Sequence, residues 1–356
     1  MKKGLNLSKN TRTAFITYAM VIVVFAVVQI LNVTGHVSSL IKGQLVPICA
    51  YIVMAVSLNL TVGVLGELSL GHAGFMSVGA FTGVVTATCL KGAIPSGGVR
   101  LLIAIAVGGV MAGIVGFLIG IPVLRLKGDY LAIVTLAFGE IIKGIVNNLY
   151  IGLDSAGLHV SMLTDNTNLL PGGKTIIGGP MGVSGNEKLA SFTAGFLLVM
   201  VCLILIYNLV DSRPGRAILA IRDNSIAAES VGINLTSYKL LAFVMSAAMA
   251  GMAGTLFAMN YSTVVASKFD FNTSILVLVF VVLGGLGNMR GSIIAAALLT
   301  VLPELLRKFS DYRMLIYAIV LILIMLATNN ATLNDFFTGL GDWFRKLFKK
   351  EETIHG

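Results

Sequence analysis

Glycines and ionisable residues interrupt an apolar stretch of the chain between Gly63 and Phe75, and Glu67 and His72 lie within it. A charge at the centre of a bilayer costs about 2.5–3.5 kcal/mol, so such residues lie near an interface, face protein or line a wet path. Glycines allow a helix to break, and the N–H groups of the new helix N-terminus bind carboxylates. The segment is a candidate substrate site. The alternatives are a plain cytoplasmic turn at Gly63–Glu67 and a hydrogen-bonded structural role for His72.

A second glycine-rich segment, Gly284–Gly291, has the same form as the first. In both, an apolar run is followed by a G-x-L-G turn and then by a run rich in small residues. Paired interrupted segments in corresponding halves of a membrane protein are typical of internal repeats with a site between them. The sequence therefore predicts an internal repeat.

The polar stretch at 211–238 carries the signals of two short helices. Pro214 is suited to the first turn of a helix, and Gly232 is suited to the position just after one. Ala217, Ala220 and Ala228 give the stretch a small, partly apolar face. Such a helix pair is suited to docking into a groove on another protein. The alternative is an ordinary solvated loop.

Several other chemistries find no support in the sequence. The run at 168–175 approaches a nucleotide-binding P-loop, but Asn168 stands where the first glycine is required and no strand precedes it. The four histidines are scattered, and the three cysteines lie singly in apolar stretches. We therefore predict no catalytic residue, no metal, no cofactor of the chain's own and no enzymatic activity.

Composition indicates which elements must position these segments. Only 12% of the 356 residues are charged, against about 25% in soluble proteins. Hydrophobic residues make up 56% of the chain, and its mean hydropathy is +0.93. This indicates a polytopic membrane protein. The net charge of +9 is explained by basic residues that hold short loops inside the cell, and not by nucleic-acid binding.

The sequence predicts an all-α membrane fold of about ten helices, some of them broken or short, with both termini cytoplasmic. The predicted spans are 14–33, 45–63, 68–90, 101–123, 130–149, 189–210, 239–260, 274–288, 292–306 and 312–328. The organisation predicted is a cytoplasmic N-terminus at 1–13, a permease domain at 14–328 and an amphipathic basic tail at 329–356. Within the domain, 150–188 is an extracytoplasmic loop and 211–238 a cytoplasmic coupling loop.

Six segments, in this order, resemble the permeases of branched-chain amino-acid ABC importers of the LivM type. They are Ser57–Gly63, Leu68–Phe75, Leu126–Ile142, Gly178–Val183, Gly215–Asn234 and Gly284–Gly287. The resemblance extends from about Val46 to Leu326. It implies one permease subunit of an ATP-driven importer in a bacterial cytoplasmic membrane. The partners would be a related permease, two cytoplasmic ATPase subunits and an extracytoplasmic substrate-binding protein.

Two sets of site residues follow from the segments and the resemblance. The substrate path is predicted at Gly71, His72, Gly74, Phe75, Thr135 and Glu140. Coupling to the ATPase is predicted at Arg216, Ala227, Ala228, Glu229 and Gly232. Ala227, Ala228 and Gly232 fall where the resembled permeases carry their coupling loop.

Other interpretations remain open at this point. Related permeases serve urea or short amides, so the substrate is open. An ion-driven secondary transporter would need carboxylates within the membrane, and the candidates are Glu67, Asp129, Glu140 and Glu304. Glu140 lies three residues before Lys143, so the two side chains could simply pair on one helix face.

Overall fold

The computed structural model describes residues 9–35, 38–126, 128–155, 157–162, 169 and 173–306, with seven further residues between 312 and 322. The chain divides into two compact units, Met1–Thr300 and Val301–Gly356. The predicted tail at 329–356 lies outside the described residues, as does most of the predicted span at 312–328.

Between residues 9 and 305 the structure describes eleven α-helices. These are α1 Lys9–Val33, α2 Ser39–Asn59, α3 His72–Cys89, α4 Gly97–Val123, α5 Asp129–Asn147, α6 Phe192–Asp211, α7 Arg213–Asp223, α8 Ser225–Ser230, α9 Leu235–Ala258, α10 Phe271–Gly284 and α11 Met289–Leu305. A π-helix, Leu60–Leu65, extends α2, and 3-10 turns form at Gly179–Met181 and Ala266–Lys268. Side chains that accept a hydrogen bond from the first turn begin five helices, namely Ser191, Ser212, Asn224, Asn234 and Asp270.

Seven segments of the described chain are long and apolar enough to cross a membrane. They are Ala14–Val33, Ile41–Leu65, Gly97–Val123, Tyr130–Asn147, Phe192–Asp211, Leu235–Ala258 and Ala266–Gly284. The chain is therefore a multi-pass membrane protein. The predicted number of about ten crossings is not confirmed. The predicted spans at 68–90 and 292–306 correspond to α3 and α11, which have 18 and 17 residues and are not among the seven.

Helix α9 forms the centre of the bundle and packs against α2, α3 and α4. Small residues permit the close approach. A Cβ added at Gly251 would overlap Ala112 of α4, and one added at Gly254 would overlap the backbone of Met76 in α3. The hydroxyl of Thr255 donates to the carbonyl of Gly79 across the same contact (2.8 Å).

A five-stranded sheet corrects the prediction of an all-α fold. Its strands are β1 Leu149–Asp154, β2 Gly157–Met162, β3 Lys174–Gly178, β4 Val183–Ser184 and β5 Thr263–Val264, in the order β2-β1-β3-β4-β5 with antiparallel pairing. Four of the strands lie in the segment predicted as a loop at 150–188. Exposed and less exposed residues alternate along β2, the period of a strand, but six residues among glycines and polar residues give too short a signal to predict.

The sheet and the short helices α7 and α8 lie at opposite ends of the bundle. Helix α6 has 20 residues and is therefore about 30 Å long. It follows the sheet strand β4 and leads directly into α7, while α9 follows α8 and leads to β5. The two ends are called the sheet end and the α7–α8 end below.

Candidate functional site

Helix α2 does not end regularly but passes into the π-helix Leu60–Leu65. π-helical turns are rare in proteins overall, and those that occur often lie at functional sites. Gly66, with φ +82°, ends the π-helix, and the chain runs without helical structure until α3 begins at His72. The predicted interruption is therefore present at the predicted residues.

His72 is 1% exposed, and its Nε2 lies 2.9 Å from the hydroxyl oxygen of Ser57. That hydroxyl donates to the carbonyl of Met54 (2.8 Å), so it accepts a hydrogen bond from the Nε2–H of His72. Nδ1 is then an acceptor, and among the described residues it has no hydrogen-bond partner. The geometry fits the structural alternative for His72, with one buried acceptor left over.

Three of the six predicted path residues, Gly71, Gly74 and Thr135, come together where α3 meets α5. Gly71, His72, Gly74 and Phe75 are buried at the start of α3. A Cβ at Gly71 would overlap the carbonyl of Thr135 in α5, whose hydroxyl accepts a hydrogen bond from the Leu70 N–H (3.1 Å). His72 instead faces Ser57 of α2, and Phe75 packs edge-on against Phe243 of α9. All five residues are buried against protein, so a path between Gly71 and Thr135 requires α5 to move relative to α3. Their role as a path stays a prediction.

Glu140 lies apart from the other five. Its side chain is 42% exposed and forms an ion pair with Lys143 at 2.5 Å, one turn along α5. The pairing considered from the spacing alone is therefore present. Because this helix is a candidate membrane span, a half-exposed ion pair on it indicates a face directed at protein or water and not at lipid.

The two glycine-rich turns meet at the α7–α8 end of the bundle. Asn59, at the end of α2, is fully buried. Its amide oxygen accepts from the N–H of Gly287 (2.8 Å), and its amide nitrogen donates to Ser292 Oγ in α11 (2.9 Å). A Cβ at Gly63 would overlap the backbone of Gly287. The two turns have the same form in the sequence, and the structure places them in direct contact. The internal repeat itself stays a prediction.

Helices α7 and α8 form the pair predicted between residues 211 and 238. The hydroxyl of Ser212 accepts from Gly215 N (3.3 Å) at the start of α7, where Pro214 occupies the first turn. Asn224 Oδ1 accepts from the N–H groups that begin α8. Gly232, with φ +84°, follows α8, and Ile233 N donates back to the Ala228 carbonyl (3.1 Å). This is the glycine C-terminal turn predicted from Gly232.

The predicted coupling residues differ in exposure. Ala227, Glu229 and Gly232 are exposed, whereas Ala228 is buried and holds α8 against the bundle. Arg216 is also exposed and donates to the carbonyl of Asp211 (3.1 Å).

Two exposed residues beside them were not predicted. Ile226, in the first turn of α8, is 80% exposed, and Val231, directly after α8, is 76% exposed. Two large apolar side chains in an otherwise polar stretch are the signal that could have identified them.

Two further contacts at the α7–α8 end were not predicted. Arg222, near the end of α7, donates from Nη1 to the carbonyl of Gly63 (2.9 Å). Glu67 forms a partly buried ion pair with Lys239 of α9. Both contacts fasten the interrupted segment after α2 to neighbouring helices.

At the sheet end, Glu187 joins two cations. Its carboxylate pairs with Lys91 at 2.5 Å and with the buried Arg100 at 3.0 Å. The hydrogen bond from Lys91, and to a lesser extent the one from Arg100, holds the pKa of Glu187 below its usual value.

Comparison with known proteins shows the family to which this chain belongs. The sequence model of the family described as "Branched-chain amino acid transport system / permease component" matches residues 40–326. The chain belongs to this family. The matched residues include both glycine turns, α7 and α8 of this permease, and leave out α1.

The curated relatives include LivM and ribose permeases. The permease is 37% identical over 294 residues to the "High-affinity branched-chain amino acid transport system permease protein LivM" of Salmonella typhimurium and to that of Escherichia coli. Those alignments cover 78% of this chain and 66% of each relative, so the chain spans just under two thirds of their length. It is also 26% identical over 287 residues to the "Ribose import permease protein RbsC" of Escherichia coli, covering 78% of this chain and 81% of that relative. No solved structure gives a significant match.

Proposed function

We propose that this chain is the transmembrane permease subunit of an ATP-driven ABC importer for branched-chain amino acids. It would act with a related permease, two cytoplasmic ATPase subunits and an extracytoplasmic binding protein. ATP would be hydrolysed on the ATPase subunits. The similarity to the LivM proteins supports the substrate class, and the similarity to a ribose permease makes a sugar the main competitor.

The observation that carries this proposal is the exposed surface of α8. A helix of six residues is held in place by an Asn224 cap and a glycine turn, and it presents Ile226 and Val231 to the outside. Buried apolar anchors surrounded by polar residues are the usual energetic centre of a protein interface. We assign this surface to the ATPase and therefore place the α7–α8 end in the cytoplasm. Arg213, Arg216 and Arg222 at this end follow the positive-inside rule.

Two of the carboxylates that an ion-driven transporter would need are already paired. Glu67 is bound to Lys239 and Glu140 to Lys143. Each of these carboxylates already has a lysine ammonium at its oxygens, so neither is an open site for a transported cation. This supports the ABC importer over the secondary transporter.

Reconstitution in proteoliposomes tests the proposal. The chain is combined with candidate ATPase subunits, a second permease and a binding protein from the same organism. We expect uptake of labelled leucine that requires internal ATP and every partner. Uptake by this chain alone, or uptake driven by an ion gradient without ATP, contradicts the proposal. ATP-driven uptake of ribose or urea in place of leucine would retain the permease role and overturn the substrate.

A capture assay tests the assigned surface. Ile226→Asp and Val231→Asp should each reduce co-purification of the ATPase with this chain at least tenfold. In each variant a charge replaces an apolar side chain that would be buried against the ATPase in the complex. Leu158→Asp, an exposed apolar residue at the sheet end, is the control and should capture the ATPase normally. Normal capture by both α8 variants means that the ATPase binds elsewhere.

A further inference from the structure

The π-helix at the end of α2 leaves carbonyl groups that need a donor. In any helix the last carbonyls have no intrahelical partner, and the chain turns away at Gly66. The Gly66 N–H and the Glu67 N–H both donate to the carbonyl of Thr61. The carbonyl of Gly63 instead accepts from the guanidinium of Arg222, 159 residues away in the sequence. A cation at a helix C-terminus is also favoured by the helix dipole.

The Arg222 side chain lies across both glycine turns. Its aliphatic stem passes so close to Gly66 that an added Cβ would have to displace it. Its Nη1 reaches Gly63 and also faces Gly287, where a Cβ would lie 3.8 Å away. Its Nε and Nη2 donate to the carboxylate of Asp223 (3.3 and 3.2 Å), which fixes the plane of the guanidinium. The contact is thus oriented at both ends.

The contact continues from the first turn into the second. Asn59 of α2 holds the N–H of Gly287, and through Ser292 it holds α11 as well. The backbones of Gly63 and Gly287 approach too closely for any side chain to lie between them. A displacement of α7 would therefore be passed through the oriented Arg222 side chain to the π-helix, and from there by close backbone contact to the second turn.

We propose that Arg222 is a positioning residue that transmits movement of α7 and α8 to the two glycine turns. ATPase movement would thereby open and close the cytoplasmic end of the substrate path. This inference rests on the proposed function, since it assumes that α8 contacts an ATPase. Its distinct content is that transmission depends on one hydrogen bond, from Arg222 to the Gly63 carbonyl, and not only on the docking surface.

The test measures coupling in the complete reconstituted complex. For each variant, leucine uptake and ATP hydrolysis are recorded together, and their ratio is compared with that of the parent. Arg222→Gln should retain ATPase capture and hydrolyse ATP within about twofold of the parent, while the ratio falls at least tenfold. Arg222→Lys should recover part of the ratio, because an ammonium can reach one acceptor but lacks the planar fork of arginine.

Two controls separate the hydrogen bond from charge. Asp223→Asn removes the carboxylate charge but keeps an Oδ1 that can accept from Nε and Nη2 of Arg222, so the guanidinium stays oriented and the ratio should stay near that of the parent. Arg125→Gln removes one exposed cation at the end of α4 and should also leave the ratio unchanged.

Three outcomes overturn the inference. The first is an Arg222→Gln complex with the parental ratio. The second is a parallel loss of ATP hydrolysis and uptake, which would assign Arg222 to docking. The third is an Arg222→Lys complex with the full parental ratio together with a defective Arg125→Gln complex, which would indicate a nonspecific requirement for positive charge. A parent complex that takes up no leucine with ATP overturns the proposed function itself, and this inference with it.

Discussion

The amide oxygen of Asn59 accepts a hydrogen bond from the backbone N–H of Gly287, 2.8 Å away and 228 residues further along the chain. Both ends of the Asn59 amide are bonded, and the side chain is fully buried. This one side chain therefore holds together two turns that belong to opposite halves of the permease.

Replacing that side chain should destabilise the protein measurably. Asn59→Ala removes the acceptor of the part-buried Gly287 N–H and the donor to the buried Ser292 hydroxyl, and each lost hydrogen bond costs about 0.5–1.5 kcal/mol. We expect the apparent free energy of unfolding in detergent, measured by SDS titration, to fall by about 2 kcal/mol. Asn148→Ala is the matched control, because Asn148 is exposed and bonds only to the Gly144 carbonyl one turn away. Equal stability of the two variants would show that the Asn59 contact contributes nothing.

The sequence predicts the local structure of each segment of this site better than it predicts the contacts between segments. Pro214 and Gly232 mark the limits of the α7–α8 pair because first-turn proline and terminal glycine are local backbone preferences. Gly63 and Gly66 mark the interrupted helix for the same kind of reason. The contact of Asn59 with Gly287 depends on how distant segments pack, and no local preference encodes it.

Arg222 shows the same limit more clearly. In the sequence it is one of several basic residues in a polar stretch, and the positive-inside rule accounts for it completely. Only the path of α7 past the π-helix shows that its guanidinium reaches the Gly63 carbonyl. The sheet was missed for a different reason, since its short strands lie among glycines and polar residues that equally suit a loop.

The contact between α4 and α9 should distinguish two glycines of similar appearance. At Gly251 an added Cβ would overlap Ala112, and at Gly113 it would lie 3.4 Å from Ala248 Cβ, an ordinary contact distance. Gly251→Ala should therefore lower the thermal unfolding midpoint clearly, since overpacking costs about 1–3 kcal/mol. Gly113→Ala should leave the midpoint within about 2 °C of the parent or raise it, because alanine favours a helix. A reversed order would mean that α4 and α9 pack in a different register.

Glu187 should make stability depend on pH. Its pKa is lowered by hydrogen bonds from Lys91 and Arg100, so the folded state favours the ionised carboxylate. The stabilisation is complete above the ordinary value of 4.5 and is lost as the pH falls through the lowered pKa. Glu187→Gln should remove this contribution at pH 7, by no more than about 1 kcal/mol because the side chain is solvent-exposed.

The measurement for Glu187 is the thermal unfolding midpoint in detergent between pH 3 and pH 7. The gap between the parent and Glu187→Gln should be largest near pH 7 and should narrow below pH 4.5. The gap between the parent and Lys91→Gln should be smaller, because Arg100 still pairs with Glu187 in that variant. Two parallel curves over the whole pH range would show that the carboxylate has no favourable partners.

Gly232 should tolerate asparagine but not valine. Its φ of +84° is unfavourable for residues with a side chain, and nothing lies within 4 Å of an added Cβ, so strain and not overlap decides the outcome. Asparagine adopts this conformation readily, whereas a β-branched residue does not. Gly232→Val should abolish ATP-driven uptake while the chain still inserts in the membrane, and Gly232→Asn should retain at least half of it. Normal uptake by Gly232→Val contradicts a coupling role for the end of α8.

Cysteine labelling tests the predicted path along α3 and α5. Cys49 and Cys202 are buried and Cys89 is exposed, so a Cys89→Ser background should react little with a membrane-impermeant maleimide. Cysteine at Glu140 should react in every nucleotide state, because that side chain is already half exposed.

Cysteine at Thr135, which is buried against the start of α3, should react in only one nucleotide state, when α5 moves away from Gly71. Leu131→Cys, at a fully buried position on the same helix, is the control and should stay unreactive. If Thr135→Cys and Glu140→Cys are unlabelled in every nucleotide state, the substrate does not pass along this face of α5. The contact between α3 and α5 would then be a fixed part of the bundle.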